Sequence, residues 1–222
     1  MPRLPRQTGF TMVEVAVVML IAGLIFGSVL KNRELIDAAT AKRLASDFRN
    51  VSIAIHTYQG AHHALPGDDR DAARHVAGTP AATPAGALGN GRIDGAWNSL
   101  TPTDEAYLAW QHLRLANLLA GTPNVPAAPA AGDAYNPRHG AEGRLGLSSD
   151  AVLTSALWPA NYYVCAAGLP GRLVRRLEVM VDDGNTLTGD LRAICEGECS
   201  AGAGVAVTVA NEAATFTVCV AH

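Results

Sequence analysis

The apolar run from Phe10 to Leu30, FTMVEVAVVMLIAGLIFGSVL, constrains this chain more than any other feature, because Glu14 is its only ionisable side chain. At about 1.5 Å of rise per residue, such a helix matches the roughly 30 Å hydrocarbon core of a bilayer. Arg3 and Arg6 precede the run, and Lys31 and Arg33 follow it. The short basic side favours a cytoplasmic N-terminus. A secretory signal peptide would have a shorter apolar core and a small-x-small cleavage site, and the KNRELI segment after Leu30 offers none. A buried core helix, apolar on every side, would need a larger protein around it. The run therefore predicts a membrane span. Charged residues make up 17% of the chain and the net charge is −3, which speaks against a disordered chain and against a nucleic-acid partner.

Glu14 turns the span into a mechanism. A carboxylate inside hydrocarbon costs on the order of 3 kcal/mol, so it calls for a partner. No cation lies near it on the same helix, which leaves a newly exposed amine or another chain. Gly9, Phe10, Thr11, Met12, Val13 and Glu14, behind a short leader with Arg3 and Arg6, resemble the class III leader of type IV prepilins and type II secretion pseudopilins. The resemblance implies that a prepilin peptidase cuts after Gly9 and methylates Phe10. It further implies that Glu14 pairs with the terminal amine of a neighbouring subunit as a filament grows. Two opposite charges, each costly alone, then act as a register device for assembly. Cleavage would remove Arg3 and Arg6, lowering Lys plus Arg from 17 to 15 against 20 acids, a net side-chain charge of −5.

Beyond the run the apolar pattern narrows to a stripe, Leu44, Phe48, Val51, Ile55 and Tyr58, spaced 4, 3, 4, 3. This predicts that one helix continues to Gly60, with its second half against a globular domain. From Phe10 to Gln59 it would extend about 75 Å. No proline lies between Pro5 and Pro66, where many pilins carry one, so Gly23 and Gly27 are the candidate kinks. The expected organisation is a leader at 1–9, a transmembrane or filament-core helix at 10–30, its amphipathic continuation at 31–60, and a periplasmic globular domain at 61–222.

Within that domain, Pro66 and Gly67 mark a turn before a short helix near Arg74 and His75. The Leu65, Pro66, Gly67, Asp68 run resembles one that follows the long helix in some pilin-like proteins. Residues 77–102 and 121–146, rich in Ala, Gly and Pro, read as irregular excursions. Between them a helix starts at Thr103 as N-cap, with Asp104 and Glu105 at its positive end. Its wide apolar face includes Tyr107, Leu108, Trp110, Leu113, Leu115, Leu118 and Leu119, suited to packing on a sheet. Strands are expected at Asn161–Ala166, Thr188–Ile194, Val205–Ala210 and Thr215–Val220. A helix is expected at Leu173–Val181, with Leu173, Leu177 and Met180 on one side and Asp182, Asp183 and Gly184 as its stop. The pattern gives an α+β fold; the resemblance gives it a pilin-like topology, a long N-terminal hydrophobic helix packed on a small antiparallel sheet with extended loops.

Cys165, Cys195, Cys199 and Cys219 all fall in the last third. An even count outside the cytoplasmic membrane argues for two disulfides, with three connectivities open. Cys195 and Cys199 are close enough to close a small loop; Cys165 would then join Cys219, much as pilins staple their C-terminal region. The thiols lack the paired short spacings of a zinc ribbon. Among seven histidines, the adjacent His62 and His63, near His56, read as solvated. Calcium is the better metal candidate: Asp182, Asp183, Asn185 and Asp190 offer oxygens around Gly184, and Asn90 with Asp94 offers a second set. The resemblance to pseudopilins, some of them calcium-dependent, points the same way, while the helix stop also explains the first cluster.

No Gly-x-Ser-x-Gly elbow, Walker loop, His-Glu-x-x-His or dinucleotide fingerprint is present, so no enzyme and no organic cofactor is expected. The expected function is that of a structural subunit of a type IV pilus or a type II secretion pseudopilus. Its expected partners are other pilin or pseudopilin subunits, prepilin peptidase, an inner-membrane assembly platform and membrane lipid. It would begin as a single-pass protein of the bacterial inner membrane and end in the filament. The competing expectation is a membrane-anchored periplasmic module that binds DNA or a carbohydrate, with the helix a passive anchor.

Overall fold

A computed structural model describes residues 11–128, 135–153, 158–196 and 203–222, with side chains other than those of residues 27–33. A single helix α1 (Met12–His62) opens the chain, unbroken at Gly23 and Gly27. It runs past Gly60; His63, at φ 55°, takes the left-handed conformation that ends it, and its N–H donates to the Gln59 carbonyl. The chain forms two compact units, Met1–Ala39 and Thr40–His222.

In the first unit the described apolar side chains are largely exposed: Met12 is 92% exposed, and Val13, Met19 and Phe26 are also exposed. Among the described residues no helix is long and apolar enough to cross a membrane, and parts of the Phe10–Leu30 run lie outside them.

The second unit is built on the 4-3 stripe. Leu44, Phe48, Val51, Ile55 and Tyr58 are all buried and join one core with α3 (Glu105–Leu115) and the sheet. After α1 come a short helix α2 (Ala72–His75) and a long excursion without regular structure. The sheet contains β1 (Leu145–Ser148), β2 (Tyr163–Pro170), β3 (Leu191–Cys195) and β4 (Thr215–Ala221), in the order β1-β2-β4-β3 with every pairing antiparallel. Helix α4 (Gly171–Val181) connects β2 to β3, and the last strand slots between them.

Strand alternation divides the sheet faces cleanly. Val164, Ala166, Leu191, Ala193, Val218 and Val220 face the core with α1, α3 and α4, whereas Tyr163, Cys165, Ile194 and Cys219 form a second cluster with Leu153 and Trp158. The result is the α+β, pilin-like arrangement that the apolar pattern and the resemblance imply.

Several expectations are corrected. Val205–Ala210 is not a strand: Val205 bonds to the Ala193 carbonyl, and Thr186 Oγ1 both donates to the Val205 carbonyl and accepts from the Val207 N–H. This tie to one side chain holds the segment beside β3, and a 3-10 turn follows at Val209–Asn211. Strand β1 falls partly within the stretch read as loop, since Leu-Gly-Leu-Ser lacks β-branched residues. The α3 helix starts one residue later than expected, with Asp104 as N-cap, and is buried on every side from Glu105 to Arg114 rather than on one face. Met180 is 47% exposed, while Glu178 is buried in the α4 stripe beside Leu177.

Candidate functional site

The first turn of α1 places the N-terminal motif. Thr11 precedes the helix, and the Glu14 N–H donates to its Oγ1 at 3.3 Å. In return Glu14 Oε2 accepts from the Thr11 N–H and from its hydroxyl, each at 2.9 Å. Ser/Thr-x-x-Glu with these reciprocal bonds is a capping box, which satisfies donors the first helical turn leaves open. Glu14 is thus held against the start of its own helix, next to the expected cleavage point. Gly9 and Phe10 lie outside the described residues. The Thr-x-x-Glu spacing was visible in the sequence, but Glu14 was read there only for its charge.

Where α1 ends, the Leu65-Pro66-Gly67-Asp68-Asp69 turn organises the excursion loops. Gly67 has φ 91°, and a Cβ there would run into the Glu105 carbonyl oxygen, so glycine is required. Its N–H donates to His112 Nδ1 at 2.9 Å, leaving the imidazole proton on Nε2, which faces the Thr79 carbonyl at 2.9 Å. Burial holds His112 below its usual pKa, so the ring is a neutral connector. Asp68 accepts the N–H groups of Gly89, Asn90 and Gly91. Asp69 accepts from the Tyr58 hydroxyl at 2.7 Å and from the Asp71 N–H at 2.8 Å, with His75 Nδ1 2.7 Å from the same carboxylate. Asn90 Nδ2 donates to Asp94 at 2.7 Å, so the second proposed calcium pair closes on itself. These groups hold loops; they present no nucleophile with an attendant base.

After α4, Glu178, Asp182 and Asp183 bring carboxylate oxygens within 4.8 Å of one another. Glu178 is 1% exposed, with Asp183 and the Asn185 backbone beside its carboxylate. Burial, then the charges of Asp182 and Asp183, push its pKa up to about 7. Asp182 accepts from the Leu191 N–H, and Asp183 from the Asn185 N–H and the Thr188 hydroxyl. Three hard oxygen donors, one of them buried, fit a divalent cation such as calcium. Asp190 is not in the group, and Asn185 serves the turn through bonds to Leu187 and Asp183. Sequence reading missed Glu178, although an acid at the next position of an apolar helical stripe is a signal for such a site.

Cys165 and Cys219 face each other across β2 and β4 and form a buried disulfide. Cys195 is also disulfide-bonded, and Cys199 lies outside the described residues.

The prokaryotic N-terminal methylation motif matches residues 4–30. The chain carries the class III prepilin leader of type IV pilins and pseudopilins. The match spans the Gly9–Phe10 step, and the Thr11–Glu14 box lies within it. No curated protein and no solved structure matches the chain.

Proposed function

We propose that this chain is cleaved after Gly9, methylated at Phe10 and built through its N-terminal helix into a type IV pilus or a type II secretion pseudopilus as a structural subunit. The observation that carries the reading is the prepilin leader running directly into a helix whose large apolar side chains are uncovered in the single chain. Uncovered apolar surface of that extent needs lipid before assembly and neighbouring subunits after it. The subunit would start as a single-pass inner-membrane protein with residues 61–222 in the periplasm. There it would meet prepilin peptidase, the assembly platform and further pilin or pseudopilin subunits. An oxidising periplasm suits a second disulfide between Cys195 and Cys199, and Glu178, Asp182 and Asp183 would hold calcium at the end of α4.

The test is the intact mass of the chain recovered from membranes of hosts with and without prepilin peptidase. A species beginning at methylated Phe10 in the competent host alone is expected. An uncleaved, membrane-inserted chain in both would overturn the filament reading and favour the anchored binding module.

A further inference from the structure

We infer that Asn90 is a site of self-modification: the fold arranges the Asn90-Gly91 step for succinimide formation with Asp68 as the base, and the products are aspartate and isoaspartate at position 90. The inference is independent of how the chain assembles.

Asn90-Gly91 is the chain's only Asn-Gly step. Three hydrogen bonds address the three groups that would react. The Gly91 nitrogen is the nucleophile, and its N–H donates to Asp68 Oδ2 at 2.7 Å. The Asn90 side-chain carbonyl is the electrophile, and its Oδ1 accepts the Arg92 N–H at 2.8 Å. The leaving group is Nδ2, which donates to Asp94 Oδ2 at 2.7 Å. The Arg92 bond closes an Asx turn, which folds the side-chain carbonyl back toward the peptide that attacks it. The same N–H faces the oxygen on which negative charge develops. Asp68 is 3% exposed, and burial pushes its pKa up, outweighing the N–H groups of residues 89–91 that it accepts. A carboxylate raised in this way is a better base toward an amide N–H than one in water. Glycine at 91 puts no side chain in the path of ring closure, and apart from its chain neighbours no heavy atom lies within 4 Å of where a Cβ would stand. Asn90 and Gly91 are exposed, so water reaches the ring once it forms.

The atoms balance without a further reactant. Asp68 takes the Gly91 proton as the Gly91 nitrogen bonds to Asn90 Cγ. The Cγ–Nδ2 bond then breaks, and Nδ2 leaves as ammonia with a proton returned from Asp68 through water. A water molecule opens the succinimide at either carbonyl and releases a proton to solvent. Opening at one carbonyl gives aspartate. Opening at the other gives isoaspartate, which adds a methylene to the main chain and moves the Gly91 N–H relative to Asp68. Either product adds a negative charge beside Asp68 and Asp94.

A loop that merely holds Asn90 still would have the reverse effect, protecting it relative to the unfolded chain. Peptide mapping by mass spectrometry separates the two. The full-length chain in detergent is incubated at neutral pH, folded or unfolded in urea, and the conversion of Asn90 is followed with time. The folded chain is expected to convert at least threefold faster than the unfolded one. Asp68→Asn, whose fold a thermal melt checks, should remove that advantage. Conversion that is equal or slower in the folded chain overturns the inference, whether or not the variant folds. So does a folded Asp68→Asn chain that converts as fast as wild type or faster, because Asp68 would then be only a clamp on the loop.

Discussion

Glu105 carries an electrostatic conflict inside the globular unit. Its carboxylate is fully buried at the first position of α3, where Oε2 accepts the Asp94 N–H at 2.8 Å and Oε1 has no partner. Burial, with the charges of Asp68, Asp94 and Asp150 nearby, pushes its pKa up to about 7. A folded pKa above the unfolded one means the native state binds the proton more tightly. Glu105 therefore favours folding most below about pH 4.5 and loses that contribution as pH rises through about 7. Glu105→Gln keeps an acceptor for the Asp94 N–H and removes the charge. It should stabilise the protein at pH 8 by about 1–2 kcal/mol and lose the advantage below pH 5, which paired urea melts at the two pH values would show. Equal shifts at both would sink the electrostatic account. Gly67→Ala should act in the opposite direction, because the left-handed φ and the Glu105 carbonyl both exclude a Cβ. A loss of about 2 kcal/mol or more in the same melts is expected, independent of pH. Sequence reading placed Glu105 as a helix-start acid, which is its position but not its surroundings. The loop that buries it has no periodicity to read.

At the scale of elements, what could be read from the chain and what could not divide along one physical line. The 4-3 stripe of α1, the Leu173 and Leu177 part of the α4 stripe and β4 were legible because burial on one side imposes a period on the residues themselves. The excursions are held instead by single polar groups that reach across long sequence separations. Asp68 gathers the backbone of residues 89–91, Arg114 reaches the Thr122 and Tyr135 carbonyls, and Arg92 reaches the Ser149 carbonyl. Such bonds leave no pattern in a window of neighbouring residues, so the same Gly and Pro content reads as loop whether or not the loop is fixed. Val205–Ala210 failed for a related reason: its Val-Ala-Val-Thr composition suits a strand, but Thr186 takes the backbone bonds a strand would make. The α4–β3 turn carries its own prediction. Calcium at about ten times its Kd should raise the melting temperature of the full chain in detergent by about 3–6 °C. Glu178→Gln should abolish that rise. If calcium leaves the melt unchanged, Glu178 is simply a protonated buried acid and the turn needs no metal.

On the scale of the whole molecule, the chain joins a globular unit that satisfies itself to a helical unit that does not. The core of Thr40–His222 is closed by two buried clusters and a cross-strand disulfide, while the start of α1 leaves Met12 to Phe26 open. Glu14 tells apart the two ways of covering that surface. For a passive anchor the carboxylate is a cost, and Glu14→Leu would lengthen the apolar run and remove a penalty on the order of 3 kcal/mol. For a filament subunit Glu14 is the group that leaves its capping box to meet the amine created by cleavage on a neighbour. The box makes this exchange possible: the bonds from Thr11 keep the carboxylate satisfied until a full positive charge competes for it. Glu14→Leu should therefore still insert and still be cut after Gly9, yet fall at least tenfold in the sheared filament fraction and accumulate in the membrane. Glu14→Gln keeps the box acceptor but lacks the charge, so it should insert normally and assemble as poorly as Glu14→Leu. If both variants assemble at the wild-type level, charge at Glu14 plays no part in assembly and the helix is an anchor.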